Sequence, residues 1–489
     1  MRLLFSVLLL SAAIAAAQGP QFGGPSPTPE PQQQPQQQEP QQQPDPGTPP
    51  EQDPRISAPE QETVPPDVEP DYSGPTILSR GGRASVQRGE ELFRLHPFAS
   101  VEGIYDSGLA SVGIDENGDI PLQDGYGVQA NFGVTGSRAW RRSGLDLDYR
   151  GVFRHYSKST FYDGTDHIFM LRYLNRVSRR WEIGLTQGLA TFSRGFMLPY
   201  GSTSNYDQNF AALTGNELFD SRTSALISGG QAIYQHTART SFGMGMNGFV
   251  VRRRSGALVG ATGWTANGNW AYRLGRRSTI GADYSFNRFH FTNRFGESNV
   301  HGAGLNYSRR LSRRWELALR VGGYRIETSR LVVIQLDPAI AAILGQTTGV
   351  QAFHGISYLP QYTARLTYSF QRSSVSAEYA RIVSAGNGIF LTSGTEYVSG
   401  AYTNQATRLV SFNLGGGAVR MRGLTQTLGQ YRSYSGYGGL SFRVAEQFAI
   451  QTRFEVRTHQ IFETRLDRTS YRVTVGFGWT PRDYPVSLW

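Results

Sequence analysis

Cysteine is absent from this chain of 489 residues. A fold held together by disulfide bonds and a lipid anchor on an amino-terminal cysteine are therefore excluded. Lysine is almost absent too, because Lys158 is the only one among the 48 lysine and arginine residues. Nearly all of the positive charge is therefore carried by guanidinium groups, which stay charged and suit carboxylates, phosphates and aromatic faces.

Long hydrophobic runs are also scarce. Met1 and Arg2 precede an apolar stretch from Leu3 to Ala17 that ends in small residues, as in a secretory signal peptide cleaved before Gln18. This stretch is too short to span a bilayer comfortably as a helix, and no later segment is better suited. The sequence therefore predicts a signal peptide over residues 1–17 and no transmembrane helix in the mature chain.

Residues 18–74 contain almost no apolar side chains to bury. Proline and glutamine dominate, as in QQQPQQQEPQQQ at Gln32–Gln43, and Arg55 is the only basic residue among many acidic ones. We expect a disordered, acidic segment rich in polyproline II structure, because this composition cannot form a core. It would act as a periplasmic spacer, or as a tether to a periplasmic or cell-wall partner. The rest of the chain is strongly basic, since the whole chain carries a net charge of +10.

From residue 75 onward, apolar side chains recur at every second position. In YRVTVGFGW at Tyr471–Trp479, tyrosine, valine, phenylalanine and tryptophan share one face, whereas arginine, threonine and glycine share the other. A period of two is typical of a β-strand with one apolar face. The predicted strands run to about nine to fourteen residues, whereas strands of soluble proteins usually have about five or six. Their charged and glycine-rich faces would make a poor core, and their aromatic residues lie near the strand ends, as at two membrane interfaces.

These patterns predict an all-β fold in which residues 75–489 form a transmembrane antiparallel up-and-down β-barrel. Eighteen strands can be placed, with sixteen as the alternative, and an even number leaves both ends of the barrel in the periplasm. In the carboxy-terminal part we place strands at 402–414, 422–433 and 437–445, with the weakest join at Gly415–Arg422. A barrel of either size encloses an aqueous channel unless loops plug it.

One octet occurs twice, as SRRWEIGL at Ser178–Leu185 and as SRRWELAL at Ser312–Leu319. In both copies a strand pattern ends just before the serine, and alternation resumes at the tryptophan. We expect Ser-Arg-Arg to form a tight periplasmic turn and the tryptophan to start the next strand at the membrane interface. The repeat is therefore interpreted as structural rather than catalytic.

The signal peptide, the alternating strands, the RRW turns and the terminal Trp489 resemble bacterial outer-membrane β-barrel proteins. More narrowly, the (L/V)SRRWE(L/I) turn-and-strand pattern resembles that of β-barrel porins associated with exopolysaccharide gene clusters. The resemblance covers residues 75–489 and implies a conduit in the outer membrane, which serves polysaccharide secretion in some members. One departure is that Pro481 and Pro485 interrupt the final strand. We expect that strand to end at Trp479 with a short tail after it, the alternative being that Tyr484–Trp489 makes a contact of its own.

The polar faces of the strands supply candidate residues for the lumen. Two interpretations stay open: arginine and carboxylate ladders that neutralise each other and hold the wall, or excess arginine that favours anionic solutes or glycans. The candidates are Arg150, Arg154, Arg320, Arg365, Arg443, Arg453, Arg457, Arg472, Asp146, Asp148, Asp283, Glu316 and Glu455.

Two outer loops are predicted to be long, at about 195–221 and 328–358. In the second, Asp337, the proline after it and Gly345 are the start and stop signals of a short helix. This loop would either fold inward and narrow the pore or lie across its mouth. Asp115–Asp119 is similar to the start of a calcium loop but lacks the later glycine and acidic ligand. We therefore expect a polar turn there, and no metal or cofactor.

The expected function is a passive conduit for hydrophilic solutes, with anionic solutes and polysaccharide export as narrower expectations. A structural anchor or adhesin with a plugged barrel is the first alternative, and an outer-membrane hydrolase the second. His155, His167, His290 and His459 have no nucleophile motif beside them, so no catalytic residue is predicted. Expected partners are outer-membrane lipid and lipopolysaccharide, but not nucleic acid, which the compartment excludes.

Overall fold

The computed structural model describes part of the chain. The predicted signal peptide, the segment 18–74, the calcium-like loop, the predicted loop at 195–221 and most of the expected helix after Asp337 lie outside the described residues. The described residues are 93–110, 121–157, 162–193, 222–254, 258–291, 296–335, 337, 345–424, 429–462, 467–481 and 484–486. Across these ranges the structure has no helix that is long and apolar enough to cross a membrane.

All regular elements in the described ranges are β-strands. They are β1 (Phe93–Ala110), β2 (Leu122–Ala139), β3 (Ser143–Tyr156), β4 (Gly164–Asn175), β5 (Trp181–Phe192), β6 (Thr223–Gln235), β7 (Thr240–Arg253), β8 (Ala261–Arg273), β9 (Ser278–Phe291), β10 (Gly296–Arg310), β11 (Trp315–Gln335), β12 (Thr348–Ser369), β13 (Ser373–Ser384), β14 (Ser393–Gln405), β15 (Val410–Gly423), β16 (Gln430–Ala445), β17 (Phe448–Ile461), β18 (Asp467–Trp479) and β19 (Tyr484–Val486).

The strands form one closed antiparallel sheet. Each of the first eighteen strands pairs with its neighbours in the chain, and β1 pairs with β18 from Ala99 opposite Trp479 to Ser107 opposite Tyr471. This pairing closes an eighteen-stranded barrel, so the predicted all-β barrel is confirmed, and sixteen strands are excluded. β1 begins and β18 ends at the barrel end with the tight turns. We call this end the turn side and the opposite end the loop side.

The period of two sets which side chains face outward, because residues directly opposite each other on paired strands share a face. Val101 and Phe477 are opposite each other in the β1–β18 pair and are 59% and 65% exposed. Asp106 and Arg472, also opposite each other in that pair, belong to the other face and are buried. The barrel therefore has apolar residues outside and charged residues inside, as expected for a wall that faces lipid.

The repeated octet forms the tight turns between β4 and β5 and between β10 and β11. The Oγ atom of Ser178 accepts hydrogen bonds from the backbone N–H groups of Arg180 and Trp181, both at 3.1 Å. The Oγ atom of Ser312 accepts the same two bonds in the second copy, again at 3.1 Å. The serine satisfies the turn's donors and the tryptophan begins the strand, which confirms the turn prediction.

Three strand predictions near the carboxyl terminus are wrong in position. The predicted strand at 402–414 runs across a tight turn between β14 and β15, and Gly415–Arg422 lies within β15. Thr407 makes this turn, since its Oγ1 accepts the N–H groups of Leu409 and Val410 at 3.1 and 3.0 Å. The predicted strands at 422–433 and 437–445 are likewise displaced, because residues 430–445 form a single strand, β16. The number of strands is unaffected.

The end of the chain follows both alternatives in part. β18 ends at Trp479, as predicted, and Pro481 follows it. Tyr484–Val486 then makes a contact of its own, which is a short antiparallel pairing with Phe93–Leu95 of β1. The expected free tail is therefore wrong for these three residues. Proline is tolerated at position 485 because the short strand is at an edge.

The outer loop predicted at 328–358 is also mostly strand. β11 and β12 have 21 and 22 residues, and they pair from Trp315 opposite Tyr368 to Gln335 opposite Thr348. By contrast, β12 pairs with β13 only from Tyr362 to Ser369. The β11–β12 hairpin therefore extends beyond β13 at the loop side.

Candidate functional site in the barrel lumen

Three of the predicted arginines form buried ion pairs on the inner face of the wall. Arg154 on β3 pairs with Asp166 on β4, and their side chains are 1% and 3% exposed. Arg472 on β18 donates from Nε to Oδ1 of Asp106 on β1 at 2.6 Å. The third pair joins Arg320 on β11 to an aspartate two strands away. Low dielectric surroundings strengthen such pairs, and the second hydrogen bond that each arginine can donate fixes its geometry.

Asp283, which forms the third buried pair with Arg320, was also predicted from the sequence. Nε of Arg320 donates to Oδ1 of Asp283 on β9 at 3.1 Å, and Nη2 contacts the second oxygen. The amide of Asn306 on β10, between the two strands, also donates to Oδ1 of Asp283 at 2.7 Å. This network spans β9 to β11, so it holds three adjacent strands together.

Other candidates form pairs that are partly exposed, although Glu455 itself is buried. Arg150 contacts Asp148 at 2.8 Å, with side chains 20% and 19% exposed, and Nε of Arg453 contacts Glu455 at 2.5 Å. Arg365 lies farther from Glu378, at 4.0 Å between Nε and Oε2. Surface pairs of this kind contribute little to stability, about 0–1 kcal/mol. Their charges remain available to the lumen.

The remaining four candidates also lie on the inner face, because each is directly opposite an inward-facing residue of a neighbouring strand. Asp146 is opposite Arg172, and Glu316 is opposite Arg310. Arg457 on β17 is opposite Ser470 and is buried. Arg443, near the turn side of β16, is opposite Ala449 and exposed. The sequence missed the carboxylates Asp106, Asp166 and Glu378, although each lies on an alternating strand and the register could have indicated them.

The lumen wall is not polar throughout, contrary to the sequence-based expectation. On β4 to β11 many of the inward residues at the loop side are apolar, and they pack together with Ala385 and Leu391 of the β13–β14 connection. Phe249, Phe289 and Ile326 are among the buried members. The wall near the loop side therefore has an apolar arc, whereas the three buried arginine–aspartate pairs lie on β3 and β4, on β18 and β1, and on β9 and β11.

The β13–β14 connection, residues 385–392, enters the barrel, and we call it the inner segment. The hydroxyl of Thr392 lies 2.5 Å from that of Ser298 on β10. Phe390 packs against Tyr431 on β16 and belongs to an apolar cluster with Met421 and Ile461. These wall residues all face inward and come from strands between β10 and β17. The segment therefore lies within the lumen and connects distant parts of the wall.

Glycine and asparagine shape the inner segment. Gly386 and Gly388 have φ angles of 74° and 93°, which favour glycine over other residues. The side chain of Asn387 accepts N–H groups of Ile389 and Phe390 at 3.3 and 3.1 Å and so closes the turn. Gly388 accepts a hydrogen bond from the N–H of Val259, in the β7–β8 connection, at 2.9 Å.

One sequence signal for this segment was missed. Ser384–Ser393 reads SAGNGIFLTS, in which Gly-Asn-Gly marks a turn and Ile-Phe-Leu is apolar without alternation. A consecutive apolar triplet after a turn indicates burial rather than an exposed outer loop. The loop considered for inward folding, as one of two alternatives, was the one at 328–358, whereas the observed inner segment belongs to the next connection on the loop side.

The four histidines named as hydrolase candidates are scattered. His155, His167 and His290 lie on the outward face near the loop side, and each is exposed. His459 faces inward, is buried, and shares a 2.6 Å hydrogen bond with the hydroxyl of Tyr431. They lie on four different strands and form no common site.

A serine–histidine contact does occur on the outward face. The hydroxyl of Ser329 on β11 lies 2.7 Å from Nδ1 of His354 on β12. A hydrolase also needs a group that orients the imidazole, and donors for the oxyanion. Within the described residues, His354 makes this one side-chain hydrogen bond, so the contact is a cross-strand pair. No group of three His, Asp or Glu residues in the same ranges is placed to hold a metal ion.

Comparison with known proteins gives a likeness of structure only. No protein-family model matches the chain, and no curated protein matches it. A BenF-like porin of Pseudomonas fluorescens Pf-5 is 9% identical with a TM-score of 0.41, over 79% of this chain and 99% of that one. OccK2 (OpdF) of Pseudomonas aeruginosa is 11% identical with a TM-score of 0.40, over 79% and 98%. OpdK of the same species, solved with vanillate, is 11% identical with a TM-score of 0.39, over 79% and 99%. Likeness at this level carries no conclusion about what this chain transports.

Proposed function

We propose that this protein is a passive channel of the bacterial outer membrane for small hydrophilic solutes, with anions preferred. The observation that carries the proposal is the inner segment within the lumen of an eighteen-stranded barrel. Barrels of sixteen to eighteen strands are wide enough to leave an aqueous channel. A segment that occupies part of that space narrows the channel to the size of small solutes and does not seal it.

The outward surface supports the location. Apolar side chains such as Val101 and Phe477 are exposed along the strands, and tryptophans gather at the turn side. Trp181 packs against Tyr234, and Trp315 packs against Tyr368. The ring centroids are 4.8 and 4.4 Å apart, and both ring pairs are tilted. Apolar bands bounded by aromatic girdles are the signature of outer-membrane barrels, whose short turns face the periplasm.

The preference for anions rests on the inner face. Arginines such as Arg365 and Arg443 are at least partly exposed there, and lysine contributes nothing to the described wall. Most of the arginines have a carboxylate neighbour, so the expected preference is moderate. An electropositive wall raises the local concentration of anions and lowers that of cations.

The test is ion conductance of the full-length protein in planar lipid bilayers. We expect discrete conductance steps, and in a potassium chloride gradient a reversal potential of the sign that anion preference gives. Steps with the opposite sign would contradict the anion preference and keep the channel. A folded barrel that inserts without any steps would contradict the channel itself.

A second candidate function is favoured by the apolar cluster inside the barrel. The inner segment and the inward apolar residues of β4 to β11 pack as a dry core would, with Ile326 and Phe390 fully buried. If this packing seals the lumen, the barrel is a structural anchor or adhesin. The absence of conductance, together with normal folding, is the outcome that would favour it.

Polysaccharide export is the narrower proposal that the sequence resemblance raises. A glycan chain must pass the level of the inner segment, so export requires this segment to move aside. Loss of surface glycan on deletion of the gene, with restoration by the intact gene, would support export. Unchanged glycan would leave the channel for small solutes as the function.

A further inference from the structure

An excess of arginine occurs on the outward face of β13 to β16, near the loop side. Arg381 lies on β13, Arg420 and Arg422 on β15, and Arg432 on β16; we call these four residues the exterior arginine patch. Glu396 on β14 lies among them, with Oε1 3.3 Å from Nε of Arg381 and Oε2 3.8 Å from Nη1 of Arg420. Within the described part of the chain, Glu396 is therefore the one carboxylate that forms ion pairs with this group of four guanidinium groups.

The pairing register places two of these arginines directly opposite each other. Arg420 is opposite Glu396 on one side and opposite Arg432 on the other. Like charges at directly opposed positions destabilise a sheet. The guanidinium group of Arg432 lies over the ring of Phe462 at 4.2 Å, and among the described residues no carboxylate forms an ion pair with it. This arrangement is unfavourable for the barrel alone and favourable once an anion lies between the two arginines.

The outward charges of neighbouring strands behave differently. On β9 and β10, Arg288 pairs with Glu297 at 2.7 Å, and on β11 Arg325 pairs with Glu327. Each of these arginines has one carboxylate of its own. The outward arginines of β9–β11 at this height of the barrel are therefore matched by carboxylates, unlike those of the patch.

The patch lies directly beyond exposed apolar residues. Moving from the patch toward the turn side, the next outward residues include Tyr379, Val398 and Tyr434, and Leu414 lies further along β15. All four are among the exposed large hydrophobic side chains. Lipid acyl chains pack against such a band, and the charged headgroups of the same lipids lie at the height of the arginines.

We propose that the exterior arginine patch binds the phosphorylated headgroup of an outer-leaflet glycolipid of the lipopolysaccharide type, with its acyl chains on the apolar residues beneath. The inference rests on the proposed outer-membrane location. Arginine suits this ligand, because its planar fork binds two phosphate oxygens at once and its charge persists near lipid. A bridging phosphate also removes the repulsion between Arg420 and Arg432.

The test compares two matched double variants of the full-length protein in mild detergent. Arg420→Gln with Arg432→Gln removes the opposed pair. Arg288→Gln with Arg325→Gln removes the same charge from the same face and height, where each arginine already has a glutamate. Binding of purified lipopolysaccharide is measured by native mass spectrometry. We expect about 30-fold weaker binding in the patch variant, and near-normal binding in the control.

Two further arms identify the ligand group. Lipopolysaccharide treated with phosphatase should bind the wild type as weakly as untreated lipopolysaccharide binds the patch variant. Inorganic phosphate at millimolar concentration should not displace the lipid, because it lacks the acyl contacts. Equal binding of the treated lipid, equal loss in the control variant, or displacement by inorganic phosphate would each overturn the proposal.

Folding and channel function are followed separately. If the glutamine variant fails to fold, as shown by loss of heat-modifiable migration, Arg420→Lys with Arg432→Lys replaces it. This variant keeps the charge but loses the fork, so intermediate binding is expected and wild-type binding would contradict the proposal. Conductance should be unchanged in the folded variants. A wild type that binds lipid without conducting would contradict only the channel, whereas one that conducts without binding would contradict only the lipid site.

Discussion

Asp106 on β1 and Arg472 on β18 are joined by two hydrogen bonds, from Nε at 2.6 Å and from Nη2 at 3.0 Å, although 366 residues separate them in the sequence. The hydroxyl of Tyr156 on β3 also donates to Asp106. The contact lies on the inner face of the seam where the first and last barrel strands meet. It therefore links closure of the barrel to a buried, bidentate ion pair.

Arg472→Gln is expected to destabilise the barrel strongly, because it leaves the buried carboxylate of Asp106 without its cation. Removing one partner of a buried pair costs about 3–5 kcal/mol. Arg150→Gln is the matched control, since Arg150 and Asp148 are about a fifth exposed, and its cost should stay below about 1 kcal/mol. Urea unfolding in lipid vesicles, followed by tryptophan fluorescence, measures both. Equal losses would show that the seam has no special sensitivity.

Gly386→Ala is expected to displace the inner segment. Both Gly386 and Gly345 have positive φ angles, 74° and 66°, so alanine at either position costs about 1–2 kcal/mol of backbone strain. Only at Gly386 would the new Cβ collide with a backbone carbonyl, that of Phe390, whereas the space at Gly345 is open. We therefore expect a larger and noisier single-channel conductance for Gly386→Ala and a normal one for Gly345→Ala. Identical recordings would mean that the segment does not limit the channel.

Arg443→Glu is expected to weaken the preference for anions. The side chain is exposed on the inner face near the turn side, so Arg443→Glu changes the charge at that end of the channel by two units. In water-like surroundings this alters the energy of a nearby ion by about 1–2 kcal/mol, which corresponds to a several-fold shift in the permeability ratio. Reversal potentials at low salt measure the shift. Arg325→Glu, on the outward face, should leave it unchanged, and a shift of equal size there would contradict the assignment of faces.

Ser312→Ala is expected to lower stability modestly. The hydroxyl accepts two backbone N–H groups of the turn between β10 and β11, and its loss should cost about 0.5–1.5 kcal/mol. Ser312→Thr should be nearly neutral, because Thr237 and Thr407 accept the corresponding bonds in two other tight turns. Unfolding midpoints of the three proteins decide the matter. A threonine variant as unstable as the alanine variant would show that the hydroxyl does not act through these bonds.

The faces of the strands could be predicted from sequence because a period of two leaves little freedom. A slip of one residue would move every side chain of a strand to the other face. The residues at which each strand begins and ends are less constrained, as the turn at Thr407 shows. Tyr402 lies before the turn and Val410, Phe412 and Leu414 lie after it, all at even positions, so the phase of the alternation is the same on both sides and does not reveal the turn. Its local signal is a hydroxyl residue before an arginine, the same signal as in the two octets.

The inner segment could not be placed from the sequence for a different reason. Its turn is marked by Gly386 and Gly388, but its direction is decided by contacts with residues far away in the chain. Thr392 meets Ser298 across 94 residues, and Phe390 meets Tyr431 on the opposite flank. Periodicity reports the faces of one strand and carries no information on such partners. The carboxylate partners of Arg154 and Arg472 differ in this respect, because Asp166 and Asp106 lie on alternating strands whose inward faces the period of two already indicates.

The short pairing of Tyr484–Val486 with Phe93–Leu95 has a consequence for biogenesis. The residues that complete the seam lie hundreds of residues after their partners in the chain. Contacts of such sequence separation form slowly, because a long loop must close before they can contribute. A chain in which β1 and β18 have not yet met therefore keeps two open sheet edges, and insertion as a sealed cylinder has to wait for this pairing.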